Sequence, residues 1–96
     1  GAVSAFSYLV WNDLVDKAKE ILDASGDTWN SRYTTYSGAR MSSTSRILTA
    51  DKFNSLRYNI GLRVSTGISE QSPGDPVLGS YFLTLADCLN EWIDQL

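Results

Sequence analysis

A chain of 96 residues that is 43% apolar, with three Trp, five Tyr and three Phe, is one small folded domain and excludes a disordered segment. A net charge of −3 weighs against a general nucleic-acid binder, which needs a basic face to displace counterions from phosphates. The lack of any His removes the commonest general base and metal ligand, and the lone Cys88 excludes an internal disulfide framework and a cysteine-based metal site.

The spacing predicts a first helix over 8–24. Trp11, Leu14, Val15, Ala18, Ile21, Leu22 and then Ala24 or Ser25 form one apolar stripe. Asp13, Asp16, Lys17 and Glu20 fall on the other face, with Asp13–Lys17 as an i,i+4 pair. Ser7 is the expected N-cap, with Ser4 competing one turn earlier, and Gly26 supplies the stop.

Residues 27–47 read as a long ordered connection anchored by Trp29, Tyr33 and Tyr36, with a short helix or strand left open. A second helix is expected over 50–63, capped by Thr49, with Asp51 suited to the N-terminal dipole and Phe53, Leu56, Ile60 and Val64 turned inward. Gly61 is a weak helix former that can end it. Ser72-Pro73-Gly74-Asp75-Pro76 marks a turn, with Ile68 placed toward the core. A third helix follows over 79–95, with Phe82, Leu85, Leu89, Trp92, Ile93 and Leu96 in the stripe.

The three helices are versions of one unit. Aligning Trp11 with Phe53 and Phe82 also aligns Leu14 with Leu56 and Leu85, Ala18 with Ile60 and Leu89, and Leu22 with Val64 and Ile93. Asn12 and Asn54 follow the aromatic in two units, and Leu83 stands there in the third. Asn is a mediocre helix former, so its repetition points to a local hydrogen bond, onto a loop backbone or an adjacent helix end. The expected architecture is all-α, a three-helix bundle in a single domain spanning 1–96.

No constellation of catalytic or metal-ligating residues emerges. The carboxylates of helices one and three sit on polar faces, where a solvated surface is the ordinary outcome. Cys88 lies beside the apolar stripe and reads as a small buried hydrophobe. No phosphate loop or calcium loop is present, so no cofactor, metal or small-molecule ligand is expected. No apolar run approaches the ~18–20 residues that span a bilayer, and no signal peptide is visible.

Charge is uneven: residues 28–50 carry Arg32, Arg40 and Arg46 with no acid, while residues 71–96 carry Asp75, Asp87, Glu91 and Asp94 with no base. Trp29, Arg32, Tyr33, Tyr36, Arg40 and Arg46 therefore form the candidate interface. The Arg side chains would meet an acidic partner or neutralise the chain's own acidic helices.

The unit in Leu48-Thr49-Ala50-Asp51-Lys52-Phe53-Asn54-Ser55-Leu56, echoed in Ser7 to Leu14, resembles short helical segments of bacteriophage and prophage tail and minor structural proteins. The lead-in from Ser72 to Leu78 before Phe82 is similar to the approach such units have. The resemblance implies a non-enzymatic virion component, or a domain of a tail or fibre protein, acting through contacts with other protein subunits in the virion or in the bacterial cytoplasm during assembly. The start at Gly1-Ala2-Val3, with Met41 the only Met, leads us to expect a processed product or a piece of a longer protein. Two other readings remain: a partner-binding bacterial domain using residues 28–46, and a three-helix DNA-binding domain, which the acidic helices disfavour.

Overall fold

In a computed structural model, residues 7–96 are described. They form α1 (Tyr8–Ala24), α2 (Tyr36–Ala39), α3 (Ala50–Gly61) and α4 (Gly79–Asp94), with no strand among them. The all-α class holds, but the helix count needs correction: the connection over 27–47 contains the short α2. It also has an isolated antiparallel bridge between Ser42 and Ser45. Helix α3 ends at Gly61, short of 63, and α4 ends at Asp94.

Caps explain the boundaries of the first and third helices. The Ser7 hydroxyl accepts from the Leu9 N–H at 3.1 Å, and Thr49 accepts from the Lys52 N–H at 3.3 Å. At the end of α1, Gly26 takes φ +75°, which only glycine adopts cheaply. The Asp27 N–H then reaches Leu22 O and the Gly26 N–H reaches Asp23 O, satisfying two terminal carbonyls in the Schellman manner. Helix α4 starts at Leu78 without a side-chain cap. Ser4, the alternative cap of α1, lies outside the described residues.

The three long helices run in the same sense. Their first turns meet in an aromatic triad: Trp11 lies 6.2 Å from Phe53 and 6.1 Å from Phe82, and those two rings are 6.4 Å apart. At the far end of α1 and α3, Arg63 pairs with Asp27. Cys88 of α4 lies 3.7 Å from Ser65 O, just beyond the end of α3. Helices that share a direction cannot be joined by tight turns, so residues 25–49 and 62–78 travel back along the molecule before each new helix begins.

The core joins Trp11, Val15, Ala18, Phe53, Leu56, Ile60, Leu85, Leu89 and Trp92, with Trp29, Ala39 and Met41 from the first connection. Several expected inward residues depart from this. Leu14 and Phe82 are only partly buried, Ala24, Ser25 and Leu96 are exposed, and Ile93 turns outward in the last turn of α4. Asp13 and Lys17 do not pair; Lys17 meets Glu20 and Lys19 meets Asp23 instead. Ile68 packs against the core from the second connection, as expected.

Candidate functional site

The distinctive chemistry of this fold is three buried Asn side chains, each gripping one loop residue by both backbone groups. Asn12 Nδ2 donates to Met41 O at 2.8 Å while the Met41 N–H donates to Asn12 Oδ1 at 2.7 Å. Asn54 treats Gln71 in the same way, at 2.7 and 2.9 Å. Asn59 does so for Asn30, at 3.0 and 2.7 Å, and also donates to Ser55 O. A primary amide carries a donor and an acceptor side by side, so it matches one residue's N–H and C=O as a neighbouring strand does. The loop N–H can only donate, which fixes the amide orientation in each clamp.

Further groups hold the first connection between α1 and α3. Trp11 Nε1 donates to Ala39 O at 2.7 Å, and the Lys52 ammonium donates to Gly38 O and Arg40 O at 2.6 and 2.9 Å. Those three carbonyls close the end of α2, where a cation is favourable. Thr34 O accepts from both Trp29 Nε1 and Ser55 Oγ. Among the described residues, no buried side-chain polar atom is left without a partner.

The candidate interface divides. Trp29 is buried, so it is a core anchor and not a contact residue. Tyr36 donates its hydroxyl proton to Asp16 Oδ1 at 2.6 Å, and Arg40 reaches the same carboxylate at 2.8 Å and, through its second nitrogen, at 3.2 Å. Burial pushes the Asp16 carboxyl up, but the hydrogen bonds from Arg40 and Tyr36 and the Arg40 charge outweigh it and hold the carboxyl below its ordinary range. The hydrogen bond to Asp16 raises the Tyr36 hydroxyl. Arg46 stacks on Tyr8, 4.8 Å from the ring centre, and donates to Ser43 O.

Arg32 and Tyr33 belong to a surface cluster that the sequence does not announce. The Arg32 guanidinium lies 5.6 Å from the Tyr33 ring and 5.3 Å from Tyr58, with Arg57 at 5.9 Å from Tyr33. The two rings meet edge to face at 5.8 Å, and Tyr33 donates its hydroxyl proton to Glu70, which pushes the phenol up.

The repeat residues Trp11, Phe53, Leu56 and Leu85 are fully buried, and Asn12 and Asn54 nearly so. Asn59, Ser55, Lys52 and Gln71 escaped the sequence reading. Asn59 carried one signal, a second Asn inside the helix that already holds Asn54. Cys88 is buried, and burial followed by the Glu91 and Asp87 charges raises its thiol pKa, leaving a poor nucleophile. A cleft of about 420 Å³ lies between the first turn of α3 and the 71–77 turn, lined by Ile47, Leu48, Ala50, Gln71, Pro73 and Val77 among others. Its titratable groups are Asp51 and Asp75. No helix among the described residues is long and apolar enough to cross a membrane.

No protein-family model, curated protein or solved structure matches this chain.

Proposed function

We propose that this chain is a non-enzymatic structural or assembly module of a phage or prophage particle, a tail or fibre component that works through protein contacts. The observation that carries the reading is a division of labour among side chains. Inward polar groups hold the chain's own backbone, as the three Asn clamps do, while Leu9, Val10, Ile47, Leu62 and Leu83 are each at least half exposed. Isolated exposed apolar residues are ordinary. Ile47, at 77% exposure, is not isolated, because it shares a cleft wall with Leu48 and Val77. The Ser/Thr-x3-aromatic-Asn-x-Leu resemblance supports the particle setting.

Molar mass by light scattering across a concentration series tests this. A discrete oligomer is expected, returned to monomer by Ile47→Glu; a monomer at every concentration contradicts self-assembly through that edge.

The partly exposed Arg32–Tyr33–Tyr58–Arg57 cluster favours a second reading, a partner-binding bacterial domain. Arg and Tyr are enriched at interfaces. Loss of a specific soluble ligand on Arg32→Ala, with the unfolding midpoint unchanged, would support it. Arg40→Ala discriminates less well, since Arg40 already pairs with Asp16.

A further inference from the structure

Counting from the N-caps Ser7, Thr49 and Leu78 puts equivalent residues at equal steps along α1, α3 and α4. Five steps in stand Asn12, Asn54 and Leu83. Asn12 hangs the first connection on α1 and Asn54 hangs the second on α3. The far wall of each seam comes from the next helix, at three, six and ten steps. In α3 these are Lys52, Ser55 and Asn59, which all bond the connection over 30–40. In α4 they are Tyr81 and Thr84, both partly covered, and buried Cys88, whose thiol meets Ser65 O.

The same steps define a third seam, between α4 and α1. Its α4 wall holds Leu83 and, four residues on, Asp87; its α1 wall holds Val10, Asp13 and Lys17. All five are exposed, Leu83 at 71%, whereas their counterparts in the other two seams are buried or partly covered. No connection among the described residues runs along it. Asp13 and Asp87 have no ion-pair partner among the described residues.

We propose that the α4–α1 seam binds a polypeptide segment of a different protein subunit, with an apolar side chain to lie on Val10 and Leu83 and basic side chains to meet Asp13 and Asp87. A polypeptide occupant follows from the other two seams, where a connecting segment is held through the backbone groups of Met41 and of Gln71. The basic character follows from the two unpaired carboxylates, set against Lys17 alone. With Leu83 where a clamping Asn would be, the seam lacks its own polar grip, so it suits an exchangeable occupant. The proposal deepens the assembly reading and rests on it.

The test uses the whole chain and a synthetic peptide of residues 38–48, which includes the Met41 that Asn12 holds in the α1–α3 seam and carries Arg40 and Arg46. Titration followed by amide chemical shifts should give saturable changes centred on Val10, Leu83 and Asp87. Binding should weaken as salt rises from roughly 50 to 300 mM, as exposed charge pairs are screened. Leu83→Glu should weaken binding about tenfold or more, and Leu83→Asn should strengthen it by restoring a clamp. Leu83 is exposed, so both variants should keep the wild-type unfolding midpoint. No saturable change, or changes centred on another face, would overturn the proposal even if light scattering finds an oligomer through Ile47. Concentration-dependent covering of these residues without peptide would also overturn it, in favour of a second copy of the chain.

Discussion

Asn54 carries more of this fold than its polarity suggests. Removing its amide leaves the buried Gln71 N–H and C=O without partners, and each stranded group costs about 1–3 kcal/mol. Asn54→Ala should therefore lower stability by about 2–4 kcal/mol in urea unfolding, beyond what an exposed Asn such as Asn90 would lose. Asn54→Asp keeps the acceptor for the Gln71 N–H but sets a carboxylate oxygen against Gln71 O, so it should rescue little at neutral pH. Asp16 gives the pH dependence. Its folded pKa lies below its unfolded value, so its contribution is present above the unfolded pKa and is lost as pH falls through the folded one. Asp16→Asn should flatten part of the acid limb of the stability curve, by well under ~1 kcal/mol because the carboxylate and Arg40 are both substantially solvated. An unchanged acid limb would mean the Tyr36–Asp16–Arg40 contacts do not persist in solution. The repeated Asn was legible as a residue needing a hydrogen bond. Its target was not, because Met41 and Gln71 are gripped by their backbones, and backbone contacts leave no mark on residue type.

The three long helices were legible to within two residues, since stripes and caps are local properties, whereas the short α2 was not. Burial within them was less so. Leu56 and Leu85 are fully buried, and Ala at either should cost about 2–5 kcal/mol. Leu14, aligned with both, is only partly covered, so Leu14→Ala should cost clearly less, about 1–2 kcal/mol. Equal losses at all three would mean the third seam is filled in solution. The repeat predicts equivalence, but α1 lies beside the seam that has no connection along it. Helix α4 offers a gain. Its N-cap is Leu78, with no side-chain hydrogen bond, so Leu78→Ser should stabilise the protein by about 0.5–1 kcal/mol. A loss on that substitution would show that Leu78 contributes more by packing than a cap can supply.

For the whole molecule, the decisive feature is that α1, α3 and α4 share a direction. Sequence periodicity reports which face of a helix is buried but not which way its neighbour runs. The long connections were the legible hint, because antiparallel neighbours would need only short loops. Shared direction explains why 27–47 is ordered: it must travel the length of the bundle, and Trp29, Ala39 and Met41 become core on the way. It also explains the clamps, since a returning connection needs its backbone groups satisfied without a sheet. Native-state amide hydrogen exchange tests this account most directly. The Asn30, Met41 and Gln71 N–H groups should exchange as slowly as helix-interior amides, and Asn54→Ala should release Gln71 first. Exchange of those three at the rate of exposed loop amides in the unaltered protein would contradict it.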